Sequence, residues 1–248
     1  MRNMMLVVEY DGTHFAGFQR QKDQRGEPRT IQGTLEEAIM AILKEEVKVV
    51  GAGRTDAGVH ALGQVVNFLT RRAIPETRLP FALNSVLPPD VVVKASHEVP
   101  VWFNARIHAR RKLYRYSVLC AGTPSAFLRD FALFVSKPLC VEAMREAAKH
   151  MVGTKDFSSF ANAGSKMKSN VRTVSRCEIL QQGELLEIWV EGDGFLYKMV
   201  RTIVGTLLEV GRGKFSPGRV EEVLAARDRC QAGPTVSARG LCLVEVGF

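Results

Sequence analysis

The segment Gly51–His60, GAGRTDAGVH, places one carboxylate, Asp56, and one guanidinium, Arg54, among three glycines. A glycine-rich loop leaves its backbone open to a ligand and can present a carboxylate as a nucleophile or a general base. Such a carboxylate must stay ionised inside a closed site, which requires a cation or hydrogen-bond donors close by. Spacing alone leaves an alternative open, in which Asp56 caps its own backbone in an Asx-turn and Arg54 is a surface ion-pair partner.

The same segment departs from the dinucleotide-binding pattern G-x-G-x-x-G at one position. Asp56 stands where the third glycine belongs, and its charge would repel a pyrophosphate. Residues 59–69 contain glycine and β-branched residues and predict no helix, so the helix N-terminus that would bind phosphate is missing. We therefore expect no nucleotide cofactor.

A second candidate residue is Arg201, which lies in the apolar run Met199–Leu208. The run is hydrophobic almost all round and predicts a buried helix. A buried arginine is costly without an acid or a phosphate, so Arg201 either lies near the helix end facing solvent or is held by an acid. If that acid is Asp56, the pair joins the two halves of the chain.

A third cluster, Arg106–Tyr116, interleaves basic residues with two tyrosines. At strand spacing Tyr114 and Tyr116 share one face and Arg115 lies on the other. The cluster fits tyrosines in a core beneath a solvated basic face, or a phosphate-binding stripe beside an aromatic ring that stacks on a base. A second basic group, formed by Lys166, Lys168, Arg172 and Arg176, favours polyanion binding. The candidate RNA-binding residues are Arg106, Arg110, Arg111, Lys112, Lys166 and Lys168, with Arg172 and Arg176 beside them.

Composition limits the class of protein. The 248 residues are 46% hydrophobic and 24% charged, which indicates a folded chain of one or two domains. No apolar stretch approaches the roughly 20 residues of a membrane helix, and no signal-peptide core precedes Glu9, so we expect an intracellular protein. Five widely spaced cysteines and five histidines without ligand spacing predict neither disulfides nor a metal. Residues 1–108 carry 13 basic against 12 acidic residues and 109–248 carry 21 against 14, which suggests a polyanionic partner.

Alternating strand and helix signals predict an α+β fold in two halves, residues 1–105 and 106–248. The first half has predicted strands at 4–10, 48–52, 64–69 and 91–93, and helices at 31–43, with Thr30 as N-cap, and at 75–84. The second has strands at 114–119, 171–180, 185–191 and 241–246, and helices at 138–151, 195–210 and 216–227. A faint repeat, EYDG then IQGTL and later EGDG then IVGTL, indicates a duplicated unit.

Several blocks resemble the TruA family of tRNA pseudouridine synthases along nearly the whole chain. The most specific is GRTDAGVHA, residues Gly53–Ala61, which resembles the family's active-site signature. Phe18, where many members have tryptophan, and the short C-terminus depart from the family pattern. The other blocks are Glu9–Thr13, Phe15–Gln21, Gly63–Phe68, Asn104–Arg106, Tyr114–Tyr116, Asp156–Phe160, Met199–Gly205 and Gly240–Leu241.

The resemblance implies isomerisation of uridine to pseudouridine at positions 38, 39 and 40, on the 3′ side of the tRNA anticodon stem-loop, without cofactor or metal. It implies that Asp56 is catalytic, that Tyr114 stacks on the target base, that Arg201 pairs with the aspartate, and that Arg54 takes part in base flipping. It also implies a cytoplasmic homodimer and two similar α/β-sandwich-like halves, with mostly antiparallel mixed sheets flanked by helices and a central active-site cleft.

Three chemical paths stay open for Asp56: addition to the sugar, addition to the base, or proton abstraction from the ribose. Two other functions also remain. A non-catalytic module of the same fold that binds structured RNA would not need Asp56. A nucleosidase or glycosidase would release the free base, but such enzymes usually need a second acid nearby, and no Asp or Glu lies between Asp56 and Glu76.

Overall fold

The computed structural model describes residues 1–21, 26–162 and 169–248. Within these ranges the chain forms ten strands and six α-helices. No helix in the described ranges combines the length and the apolar composition needed to cross a bilayer. In chain order the elements are β1 (Arg2–Tyr10), α1 (Ile31–Leu43), β2 (Val50–Gly51), β3 (His60–Thr70), α2 (Leu79–Asn84), β4 (Val91–Val99), α3 (Ala105–His108), β5 (Arg111–Cys120), β6 (Leu133–Val135), α4 (Val141–Lys149), β7 (Gly153–Asp156), β8 (Val171–Gln182), β9 (Leu185–Gly192), α5 (Met199–Gly211), α6 (Arg219–Ala226) and β10 (Leu241–Gly247).

The first compact unit consists of residues 1–110 and 242–248. Its central strand β1 pairs antiparallel with β3 on one side and with β4 on the other. β2 pairs antiparallel with β3, and β10 runs parallel to β3. Alternation along β1 buries one face of the strand, and α1 buries its own apolar stripe in the same unit. Thr30 begins α1 as its N-cap, accepting a hydrogen bond from the Gly33 amide, as the sequence predicts.

The second unit consists of residues 111–241. β9 pairs antiparallel with β5 and β8, β8 pairs antiparallel with β7, and β6 lies parallel to β5. α4 packs against α5 and β8. Every residue of α5 except Arg201 is buried, which confirms the buried helix expected from its apolar run.

Each unit contains the same sequence of strand, loop and helix, which confirms the expected α+β fold with mixed sheets in two similar halves. In the first, the EYDG segment ends β1 and a loop leads to the IQGTL segment in α1. In the second, EGDG ends β9 and a loop leads to IVGTL in α5. Both helices have 13 residues. The repeat in the sequence therefore marks the same strand-loop-helix step in each unit.

Some boundaries differ from the sequence prediction. The helix expected from residue 195 begins at Met199, because Lys198 has a left-handed φ of 60° that a helix cannot contain. α3 falls in the segment 99–110, where the sequence shows no clear period, and β6 and β7 are too short for periodicity to reveal. The first unit continues to Arg110, beyond the expected division after residue 105. It also includes residues 242–248 from the end of the second half.

Candidate active site and RNA-contact surface

The loop of residues 52–59 joins β2 to β3 and carries Asp56; it is called the Asp56 loop below. Asp56 is half-buried, Thr55 is buried and Arg54 is exposed. The Ala52 amide donates to the Val65 carbonyl at 2.8 Å, and the Val59 amide donates to the Asp56 carbonyl at 3.2 Å. The main chain of the loop is thus fixed to β3 at its start and turned back on itself after Asp56.

A buried polar network supports the Asp56 loop from below. The hydroxyls of Tyr10 and Thr55 share a hydrogen bond of 2.8 Å. The Gln64 side-chain amide donates to the Gly53 carbonyl at 3.0 Å and to the Tyr10 hydroxyl at 3.4 Å. Burial raises the pKa of Tyr10 to about 12, so its hydroxyl keeps its proton at neutral pH. The sheet therefore holds the loop on both sides of Arg54 through side chains that exclude water.

The loop that follows β1 packs against the Asp56 loop. The Phe18 amide donates to the Thr55 carbonyl at 3.0 Å, and the Gly58 amide donates to the Phe15 carbonyl at 3.3 Å. Gly17 has a φ of 102°, and a Cβ there would lie 2.8 Å from the Thr55 carbonyl oxygen. Only glycine combines that conformation with so close an approach.

Asp11 shapes the start of the loop that follows β1, called the packing loop below. Thr13 donates to one Asp11 oxygen from its amide at 2.9 Å and from its hydroxyl at 2.6 Å, which is an Asx-turn. Burial opposes ionisation of Asp11, but the Thr13 hydrogen bonds and the neighbouring His60 outweigh it and lower the pKa of Asp11. The Gly12 amide donates to His60 Nδ1 at 3.1 Å. The first residue of β3 thereby fixes the packing loop.

Three arginines of the first unit, Arg54, Arg106 and Arg110, are exposed. Within the described residues, none of the guanidinium groups of Arg54, Arg106 and Arg110 forms an ion pair. Partial burial lowers the pKa of Arg54, and the positive charge of Arg106 lowers it further. Like charges this close favour an anion between them. No ion pair between Arg54 and Asp56 is found among the described residues.

Tyr114 lies on β5 of the second unit, 7% exposed, with its ring edge-on to Phe195 at 5.2 Å between centroids. Tyr116 lies two residues on, fully buried, and donates to the Ser237 carbonyl at 2.9 Å. Burial raises the pKa of Tyr116, and the charges of Arg201 and Arg239 oppose that rise. Arg201 therefore lies close to the sheet face that carries both tyrosines.

Arg201 is held by the segment 233–236, which runs along α5. Its Nε donates to the Val236 carbonyl at 2.8 Å, and the Val236 amide donates back to the Arg201 carbonyl at 3.3 Å. The approach depends on Gly205, where a Cβ would lie only 1.7 Å from the Pro234 carbonyl oxygen. Arg201 is half-buried near the start of α5, which partly matches the expectation of a position near the helix end.

Acidic residues of the same sheet neutralise part of the positive charge of the Arg106–Tyr116 cluster and of the second basic group. Arg111 pairs with Glu191 at 3.2 Å, and Arg115 pairs with Glu187 at 3.3 Å. Arg176, from the second basic group, pairs with Glu178 at 2.7 Å. Lys112 is half-buried. Lys166 and Lys168 lie outside the described residues.

The structure brings the sequence-predicted residues together in two groups. Arg54 and Arg106 are neighbours in the first unit, which also carries Asp56, and Tyr114 lies on the sheet face beside Arg201 in the second. Sequence reasoning missed Tyr10 and Gln64. Alternation along β1 and β3 could have found them, because Tyr10 continues the buried face of Leu6 and Val8, and Gln64 is the register partner of Val8.

Comparison with known proteins identifies the class. The family model described as tRNA pseudouridine synthase matches residues 6–106 and 147–248, one segment for each half of the chain. The chain belongs to this family, and specifically to the TruA family of tRNA pseudouridine synthases. It is therefore an enzyme, an isomerase that converts uridine in tRNA to pseudouridine.

Curated relatives match over their full length. "tRNA pseudouridine synthase A" of Acetivibrio thermocellus is 46% identical over 248 residues, covering 100% of both chains. The protein of the same name from Thermoanaerobacter sp. is 45% identical, covering 99% of each chain, and that of Caldicellulosiruptor bescii is 43% identical, covering 100% of each. Among solved structures, a chain of the Cbf5-Nop10-Gar1 complex aligns with a TM-score of 0.33 and 16% identity over 83% of this chain and 45% of its own.

Proposed function

We propose that the enzyme modifies uridines 38, 39 and 40 of the tRNA anticodon stem-loop, with Asp56 as its catalytic residue. The observation that carries the assignment of Asp56 is the support of its loop. A half-buried carboxylate stands on a main chain fixed by Tyr10, Thr55 and Gln64. Fixed placement of one reacting group relative to its substrate supplies a large part of the rate in such reactions.

The reaction must break the N1–C1′ bond of uridine and form a C5–C1′ bond. The C5 proton is lost to solvent and N1 gains a proton, so substrate and product are isomers. The detached uracil must turn without escaping, which requires a closed site with one ionised carboxylate. Asp56 supplies that carboxylate in the proposal, and the family resemblance assigns Arg201 as its basic partner.

The target base must first leave its helix, at a cost of a few kcal/mol that stacking partly offsets. We assign the stacking to Tyr114, whose ring is already oriented by Phe195. Arg54 assists base flipping in the proposal, because it is exposed beside Asp56 and has no ion pair in the described ranges. Arg106 and Arg110 contact phosphates, as do Arg111, Lys112, Lys166 and Lys168 of the second half.

The experiment is tritium release from tRNA labelled at C5 of uracil, with tRNA binding measured in parallel. Asp56→Asn keeps the shape of the side chain and removes its charge. We expect no release and unchanged tRNA binding, because the carboxylate acts in the chemical step. Glu98→Gln is the matched control, since Glu98 forms a 2.7 Å surface ion pair with Arg2. Normal release by Asp56→Asn would contradict the assignment of Asp56.

The target positions are tested with stem-loops that carry a single uridine at 38, 39 or 40. Product at all three positions supports the proposal, and product confined to another arm of intact tRNA contradicts it. We also propose that the enzyme is a cytoplasmic homodimer, a state that the family resemblance supports. Sedimentation of the free protein would show a mass of two chains, and a monomer at micromolar concentration would refute it.

A further inference from the structure

An exposed apolar surface that includes an aromatic ring lies in the first unit, on the segment that links β4 to α3 and on α3 itself. Trp102 is 72% exposed, Ile107 72% and Val101 56%. Large apolar side chains in one short segment, rimmed by polar groups, are typical of a binding surface. The surface formed by Trp102, Ile107 and the rings of Phe103, His108 and Phe248 is called the Trp102 platform below.

The rings of the platform support one another. The Trp102 ring lies edge-on to His108 with centroids 5.3 Å apart, and His108 stacks on Phe103 at 5.6 Å. Phe103 in turn contacts Phe248 at 5.1 Å. The supporting rings leave the outer side of Trp102 open while restricting its rotation.

A buried asparagine pair fixes the main chain beneath the platform. The Asn3 side-chain amide donates to the Pro100 carbonyl at 3.0 Å and to the Phe103 carbonyl at 2.8 Å. The Asn67 side-chain oxygen accepts from the Ala105 amide at 2.8 Å, and its amide donates to the Asn3 oxygen at 2.9 Å. A platform fixed in this way loses little conformational entropy when a ligand binds.

The charge around the platform selects the ligand. The chain has no Asp or Glu between Glu98 and Asp130, whereas Arg106 and Arg110 flank the exposed Ile107. Within the described ranges neither guanidinium forms an ion pair, and the charge of Arg106 reaches Arg54. A flat aromatic ring beside unpaired cations fits a nucleobase with its phosphates.

A second copy of the chain fits this surface less well. In a twofold contact centred on Trp102 the same patch would face itself. Arg106 and Arg110 would then lie near their own copies, with no carboxylate from the segment between Glu98 and Asp130 to separate them.

We propose that Trp102 is a stacking site for an unpaired base of bound tRNA, separate from the target uridine, with Arg106 and Arg110 on the adjoining phosphates. This inference rests on tRNA being the substrate. Stacking on the indole holds the tRNA in place without base-specific hydrogen bonds, so the site adds affinity for every tRNA substrate.

The first test reads Trp102 directly. The chain has two tryptophans, so Trp189→Phe leaves Trp102 as the sole one. Titration with unfractionated tRNA should quench the indole fluorescence, with a midpoint equal to the Kd measured by filter binding. Saturated tRNA binding without a change in fluorescence would overturn the proposal.

The second test measures affinity. Trp102→Ala should raise the Kd for tRNA about tenfold, whereas Trp102→Phe, which keeps a stacking ring, should raise it much less. Phe81→Ala is the matched control, because Phe81 is 79% exposed in the same unit and should not change the Kd. Equal Kd values for Trp102→Ala and wild type would overturn the proposal.

A third measurement separates the two kinds of partner. If Trp102→Ala converts a dimer into a monomer in the absence of RNA, the platform is an interface between copies and the proposal is wrong. Wild-type protein that binds no tRNA would overturn both this inference and the proposed function. An unchanged Kd for tRNA in Trp102→Ala would overturn this inference alone and leave the proposed function intact.

Discussion

Removing the hydroxyl of Tyr10 tests whether the buried network positions Asp56. Tyr10 is 3% exposed, and its hydroxyl shares a 2.8 Å hydrogen bond with the hydroxyl of Thr55, which is 6% exposed. Loss of one neutral hydrogen bond costs about 1 kcal/mol, and leaving a buried hydroxyl without a partner costs about 1–3 kcal/mol. We therefore expect Tyr10→Phe to lower the free energy of unfolding by about 1–3 kcal/mol.

The effect on activity follows from the position of Thr55, which directly precedes Asp56. With its hydroxyl released, Thr55 no longer fixes the main chain that carries the carboxylate. A displacement of about 1 Å at a reacting group costs up to about 100-fold in rate, and we expect kcat to fall about tenfold. The Kd for tRNA should not change, because none of the residues assigned to tRNA binding belongs to the network.

The assay is tritium release at saturating tRNA with multiple turnovers, well below the Tm of every variant. Thr55→Val should reproduce Tyr10→Phe, and Thr55→Ser, which keeps the hydroxyl, should restore the rate. Because both changes break one bond, their effects on kcat should not add in the double variant. Thr70→Val is the matched control, since its hydroxyl donates to Glu45 at 2.6 Å at the other end of β3. A lower Tm with an unchanged kcat in Tyr10→Phe would refute the positioning role.

Two further predictions concern backbone strain and ionisation. Gly17→Ala should reduce both stability and kcat, because a Cβ at φ 102° meets the Asp56 loop. Gly183→Ala, at φ 60° with open space around it, should cost only about 1 kcal/mol of stability. Thermal melts measure the loss of stability in each variant, and tritium release measures the loss of kcat. Burial tends to raise the pKa of Glu209, but hydrogen bonds from Lys214 and Arg212 outweigh it and lower the pKa below the ordinary value of 4.5. Its stabilising effect is therefore complete above pH 4.5 and is lost as pH falls through the lower folded pKa, so Glu209→Gln should flatten this part of the curve of unfolding free energy against pH. An unchanged acid limb in that variant would show that the carboxylate contributes no stability.

The sequence predicts most of this fold because periodicity is strong where one face of an element is buried. β1 and the β8–β9 hairpin lie where alternation places them, and α1 begins at the predicted cap. β2 is shorter than predicted, with two residues, because the chain leaves the sheet to form the Asp56 loop. α3 has only four residues and depends on the Asn104 side chain, which accepts from the Arg106 and Ile107 amides. A helix this short carries no period.

The site shows the same limit for a different reason. Asp56 and Arg54 stand out in the sequence because glycines surround them, and Tyr114 because basic residues flank it. The side chains that support them do not stand out, because a buried tyrosine or glutamine looks like any other residue on a strand. The partners Tyr10 and Thr55 are 45 residues apart, and only the β1–β3 register brings them together.

The repeated strand-loop-helix step differs between the two units at the residue that ends the strand. Tyr10 ends β1 and reaches the Asp56 loop, but the matching position in the repeat is Gly192, where a Cβ would lie 2.7 Å from the Thr173 carbonyl oxygen. A side chain like that of Tyr10 is excluded there, so the end of β9 cannot support a loop in the way that Tyr10 does. Its helix instead uses Gly205 to admit the segment that holds Arg201. In the second unit, close backbone approaches occur both at Gly192, where the strand ends, and at Gly205 in the helix, whereas in the first unit the strand ends in Tyr10, whose hydroxyl supports the Asp56 loop.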